Sequence, residues 1–133
     1  MNNTEISVVN ATITDYLAQE PSLSDMYQLF NETGMVEQLL EKEQMYTILA
    51  VESGIAAGDD PIYTAQTYIS DASISPSNLE DGQRILMWSG NVSKRFLPLL
   101  LRLEQLPVIR FNNANVTKVI KLTNGYLYYW IRL

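Results

Sequence analysis

Carboxylates and phenols are the side chains of this sequence with chemistry to offer: fifteen Asp and Glu, and eight Tyr. There is no histidine and no cysteine. An imidazole base, a thiolate nucleophile and His- or Cys-ligated zinc are therefore excluded. A serine nucleophile would lack its usual partner. Neither G-x-x-x-x-G-K-[ST] nor G-x-G-x-x-G occurs, so the glycines punctuate turns and cradle no phosphate. Two carboxylates can hydrolyse a glycoside, but only at a fixed separation and with one acid's pKa raised. Fifteen acids make many pairs, and spacing along the chain singles out none. Asp59 and Asp60, with Glu52, offer oxygens to a hard cation. Calcium loops need carboxylates at patterned spacing around a turn glycine, and this stretch reads instead as a solvated loop. Glu41-Lys42-Glu43 reads as a solvated helix end.

The remaining concentration is aromatic. Tyr126, Tyr128, Tyr129 and Trp130 fall within five residues, just after Asn124-Gly125. An exposed Tyr126/Tyr128/Trp130 face would stack on sugar rings. Alternation puts those three on one face of a strand and Leu127, Tyr129, Ile131 and Leu133 on the other. Neither face is polar, which is the pattern of a strand covered on both sides. Burial is the expectation.

Five Asn-x-Ser/Thr triplets begin at Asn2, Asn10, Asn31, Asn91 and Asn115. In a secreted eukaryotic protein they are glycan acceptors. The competing reading is that a chain rich in Asn and Thr makes them by chance. Asn31 falls in an expected helix and Asn115 in an expected turn.

Composition narrows the class. A length of 133 residues predicts one domain with a real core. The net charge of −6 argues against a nucleic-acid partner. "FLPLLLRLEQLPVI" is broken by Pro98, Arg102, Glu104 and Pro107, and no run is long enough to span a bilayer. "MNNTEISVVN" lacks the basic start of an export signal, as expected if the domain was excised from a longer chain. Absent cysteine fits either redox compartment.

The elements that would carry these residues change character along the chain. In "TITDYLAQE", Thr12 reads as an N-cap with Asp15 three residues on, and Pro21 ends the helix. In "SLSDMYQLFNETG", Ser22 reads as the next cap, Leu23, Met26, Leu29 and Phe30 as the apolar stripe, and Gly34 as the stop. "MVEQLLEKE" predicts a third helix. "MYTILAV" predicts a buried strand, and "TAQTYISDASIS" fits a short helix or a strand equally. A strand is expected over Arg84–Trp88 between turns at Asp81-Gly82 and Ser89-Gly90. Leu97–Leu101 leans to strand. Three strands follow, with turns at Asn112-Asn113 and Asn124-Gly125.

In this order the segments resemble a fasciclin domain. "ITDYLAQEPSLSDMYQLFNETGMVEQL" resembles the family's opening helices. "YTILAVESG" resembles its first motif, T-v-F-A-P-T, through Thr47, Leu49 and Ala50, with Val51 in place of Pro. In "ISPSNLEDGQRILMWSGN", Ile74-Ser75, Leu79, Asp81-Gly82 and Gly90 fall where the family's pattern puts them. "NNANVTKVIKLTNGYLYYWIRL" resembles its second motif through Asn113, Val116, Ile120, Thr123, Asn124, Gly125 and Leu133. Tyr68 and Tyr128 stand where the family has two His, and Ile131 where it has an Asp. The segment before Tyr68 is short, so helices usual there are expected to be missing. This is the pattern of a divergent, trimmed member from a bacterial surface protein.

The resemblance implies an α+β fold, with N-terminal helices packed on a β-sandwich or wedge of mostly antiparallel strands. It implies a non-catalytic extracellular or cell-surface module for adhesion or protein interaction, with no cofactor. The partner would be a protein or a surface glycan, and neighbouring domains of the same kind are expected. A carbohydrate-binding module and a purely structural spacer are the alternatives. The motif positions Thr47, Tyr68, Asn124, Gly125 and Tyr128 are the candidate site, structural or binding. Val119 and Lys121 replace the acidic residue and the Leu that the resemblance links to integrin contact, so that activity is not carried over.

Overall fold

The computed structural model describes residues 5–41, 45–52, 55, 58–78, 83–90, 92–96, 109–111 and 114–130. The first helix, α1 (Ile13–Gln19), begins as its sequence dictates. Thr12 is extended, and its Oγ1 accepts from the Asp15 N–H at 3.1 Å, satisfying one of the donors that a helix start leaves without an internal partner. Ile13, Tyr16 and Leu17, spaced three and four apart, form its buried face.

A turn of 3-10 helix, Pro21–Leu23, precedes α2 (Ser24–Glu32). Ser22 is therefore not the cap that its position promised. Pro21 has its φ fixed in the helical range and opens the tighter turn first, absorbing Ser22, and α2 starts from Leu23 with no side-chain cap. Met26, Leu29 and Phe30 face inward as expected. Gly34, at φ +79°, turns the chain into α3 (Met35–Glu41).

Eight strands follow one another across a mixed sheet. They are β1 (Glu5–Val8), β2 (Tyr46–Ala50), β3 (Ile69–Ser70), β4 (Arg84–Leu86), β5 (Val92–Phe96), β6 (Arg110–Phe111), β7 (Ala114–Leu122) and β8 (Gly125–Trp130). The pairing path runs β3-β2-β8-β7-β6-β5-β4, and β1 adds to β7. β1 with β7 and β2 with β8 are parallel, and the other pairs are antiparallel. The two ends of the path meet. The Trp88 N–H donates to the Ile69 carbonyl at 2.8 Å, and Ser70 Oγ donates to the Leu86 carbonyl at 2.8 Å. The architecture is α+β with a mostly antiparallel sheet.

Several local expectations are resolved or corrected. "TAQTYISDASIS" is both a helix and a strand: α4 (Pro61–Gln66), then β3. Asp60 starts α4 by accepting the Tyr63 N–H at 3.0 Å, and Pro61 sits at the first helical position. The strand expected over Arg84–Trp88 stops at Leu86, because Trp88 turns to pair with Ile69. β1 has no counterpart in the sequence reading. Asn115 lies in β7 instead of a turn. The expectations for Leu97–Leu101 and for the Asn112-Asn113 turn lie outside the described residues.

Register places side chains in rows across the sheet. One row runs Ile6, Val119, Tyr128, Leu49, and reaches Tyr68, whose carbonyl accepts the Leu49 N–H at 2.9 Å. The adjacent row, on the other face, runs Ser7, Ile120, Leu127, Ile48, Ile69. α1 meets that second face, where the Tyr16 and Tyr129 rings sit edge to face at 6.5 Å. The segment around Ala72–Ile74 and the ring of Phe111 meet the first, the latter 5.4 Å from Tyr128. β8 is thus enclosed on both sides, and Leu127, Tyr128 and Tyr129 are buried. Each such large side chain contributes roughly 1.5–3 kcal/mol by leaving water.

Candidate functional site

The five motif positions occupy two places in the fold. The first is the hairpin between β7 and β8. Leu122 pairs with Gly125, so Thr123 and Asn124 are the central residues of the turn, one residue earlier than the Asn-Gly signal implied. The Asn124 carbonyl accepts the Tyr46 N–H at 3.0 Å, and its Oδ1 accepts the Ile13 N–H at 2.8 Å. The N–H and the hydroxyl of Thr123 both donate to the Ala11 carbonyl, at 2.9 and 3.1 Å. The turn therefore ties together β2, β8 and the start of α1. Gly125 stands at φ +148°, open to glycine alone.

A consequence is measurable. Asn124→Ala removes the acceptor for the first N–H of α1 and should cost about 1–2 kcal/mol, the range for a lost helix cap. Amide hydrogen exchange should accelerate in α1 more than in α2. Uniform acceleration would mean that the contact does not hold α1 specifically.

The second place is the sheet face over which residues 71–74 cross. Thr47 is buried in β2. Its hydroxyl donates to the Ala72 carbonyl and accepts the Ile74 N–H at 3.2 Å. The Tyr128 hydroxyl donates to the Ile74 carbonyl at 2.5 Å. Ser70 Oγ accepts the Ala72 N–H at 3.1 Å, and Trp88 Nε1 donates to Asp71 Oδ1 at 2.6 Å. Tyr68 and Tyr128 are both buried and flank Leu49 in β2, Tyr68 just before β3 on one side and Tyr128 in β8 on the other. Strand β2 thus runs between their backbones.

Sequence reasoning missed a third arrangement. The hydroxyls of Tyr16 and Tyr129 share a buried hydrogen bond of 2.7 Å. Lys118 Nζ lies 4.7 Å from the Tyr129 ring centre. Only register and helix packing bring these residues, 113 apart in sequence, together. Burial pushes the Tyr129 phenol well above its ordinary value of 10.0, and the bond to Tyr16 and the nearby Glu20 and Glu52 add to the effect. The raised value favours the neutral phenol in the folded chain. The stability it brings is complete below pH ~10, where the unfolded phenol is also neutral. It is lost above that pH, because the unfolded chain ionises first. The urea midpoint should fall above pH ~10, and fall less steeply in Tyr129→Phe. Equal slopes in the two proteins would refute the assignment.

The sugar platform is corrected. Tyr128 and Trp130 are buried, Tyr126 is partly buried, and Trp130 Nε1 donates to the Phe111 carbonyl at 3.0 Å. These rings pack the fold because both faces of β8 are covered. Asp60 works as a helix cap, and among the described residues no three Asp or Glu gather to hold a metal ion.

This arrangement of helices and strands has a counterpart among solved structures. The chain superposes on a FAS1 domain pair from the insect cell adhesion molecule fasciclin I with a TM-score of 0.62. The fold is the fasciclin fold. Identity is 15%, and the match covers 90% of this chain and 49% of the other, so the chain spans about half the length of that domain pair. No family model and no curated protein sequence matches this chain. Within the fasciclin fold, the polar side-chain atoms of Thr47, Asn124 and Tyr128 bond to backbone groups of the chain. Among the described residues no helix is long and apolar enough to cross a membrane.

Proposed function

We propose that the chain is a non-catalytic adhesion or protein-interaction module displayed at the cell surface. The observation that carries this reading is the likeness of its fold to FAS1 domains of a cell adhesion molecule. The use made of the motif side chains supports it. Thr47 and Tyr128 hold residues 72–74, and Asn124 holds α1, so these polar groups serve the scaffold and not a substrate. The partner is a protein or a surface glycan, engaged by the outside of the domain alongside neighbouring domains of the same kind. The acidic balance points away from nucleic acid.

Beads coated with the purified chain test this on cells of the producing organism. They should be retained above albumin-coated beads, and prior unfolding of the coat should abolish the difference. Retention equal to albumin, or turnover of an ester or glycoside by the purified chain, would overturn the proposal.

A further inference from the structure

We propose that this chain carries asparagine-linked glycans at Asn10, Asn31 and Asn115. Ten asparagines and 19 serines and threonines in 133 residues would produce roughly one or two acceptor triplets by chance. The chain has five. The three triplets whose Asn is described place it at the surface. Asn10 sits in a bend between β1 and α1, Asn31 in the last turn of α2, and Asn115 at the start of β7, and all three are exposed. None of their carboxamides bonds to another described residue. By contrast, the Asn124 carboxamide is committed to α1 and belongs to no triplet.

The donor is an oligosaccharide linked to a polyprenyl diphosphate. The Asn Nδ2 attacks the anomeric carbon, a C–N bond forms, and the C–O bond to the diphosphate breaks. The diphosphate leaves with the electron pair, and the carboxamide loses one proton to a base of the transferase. The enzyme reads the hydroxyl two residues on, supplied by Thr12, Thr33 and Thr117. In the folded chain Thr12 Oγ1 accepts the Asp15 N–H, and Thr33 Oγ1 donates to the Leu29 carbonyl at 2.7 Å. Folding commits the Thr33 proton to the Leu29 carbonyl, whereas Thr12 keeps its proton when it accepts from Asp15. Transfer to Asn31 therefore precedes folding.

The inference rests on the surface reading for its compartment, and on a source whose cells transfer glycans to Asn-x-Ser/Thr in place of the bacterial one that the resemblance implied. The test is tandem mass spectrometry of peptides from the chain purified from its producing cells, after separating cytosolic from surface material. Peptides bearing Asn10, Asn31 and Asn115 should carry added sugar masses. Asn10→Gln, Asn31→Gln and Asn115→Gln should each remove one glycan and leave the fold signal unchanged. Unmodified peptides from surface material would overturn this inference and spare the surface reading. A chain confined to the cytosol and unmodified would overturn both. Offered to a purified transferase with its donor, the unfolded chain should accept sugar at Asn31 and the folded chain should not. Equal acceptance would overturn the order of events.

Discussion

Gly125→Ala is expected to remove a large part of the fold's stability, whereas Gly34→Ala is expected to remove little. The substitution is the same, and both glycines have positive φ, +148° and +79°. They differ in the space around them. A Cβ on Gly34 meets nothing within 4 Å. Its cost is the backbone strain of a non-glycine residue in the left-handed region, about 1–2 kcal/mol. A Cβ on Gly125 would lie 2.0 Å from the Tyr46 carbonyl oxygen and 2.8 Å from its nitrogen. These are backbone atoms of a central strand, so no side-chain rotation relieves the overlap. The Tyr46–Gly125 pair must separate, and with it the start of the parallel β2–β8 ladder and the bond from the Tyr46 N–H to the Asn124 carbonyl. The loss should exceed about 4 kcal/mol, an exceptional value for one substitution. A domain with about 5–15 kcal/mol in total loses between about a quarter and most of its stability by that change. Urea denaturation followed by circular dichroism decides the matter, and comparable midpoints for the two variants would refute the close approach.

The sequence signal at this hairpin was strong and still one residue out. Asn-Gly announces a tight turn through local backbone preference, and a turn is there. What local preference could not reveal is that the Gly is needed for a strand nearly eighty residues away. Where the controlling interaction is local, the sequence is legible. Thr12 with Asp15, Gly34, and the apolar spacing of α1 and α2 all act within one or two helical turns. Ser22 misled because two local signals competed and Pro21 acted first. β1 was invisible for a different reason. Glu5-Ile6-Ser7-Val8 does alternate polar and apolar, but only over four residues and with all four exposed, so no buried face marks the strand, and it pairs along β7. The same holds for the candidate site. The residue types at Thr47 and Tyr128 were conspicuous, but their shared task depends on the crossing of residues 71–74, set by tertiary structure alone.

That shared task yields the second large effect. Thr47→Val preserves shape in the core but removes the partner of both the Ala72 carbonyl and the Ile74 N–H, which should cost about 2–4 kcal/mol. Tyr128→Phe strips the Ile74 carbonyl of its donor, at about 1–3 kcal/mol. If the two side chains hold one segment, the costs cannot add. Once either is lost, the segment moves and water reaches the backbone groups that the other side chain was serving. The double variant should therefore lose less than the sum of the single variants, by about 0.5–3 kcal/mol. The Ile74 amide provides an independent reading, since its hydrogen exchange should accelerate in both single variants, although only Thr47 touches that N–H directly. Additive costs, or an Ile74 amide unaffected by Tyr128→Phe, would mean that the two hydroxyls serve separate ends of a flexible strap. In the coupled case the segment from Asp71 to Ile74 is as much a part of the sheet as the strands beneath it, and the hydroxyls of Thr47 and Tyr128 are spent in keeping it there.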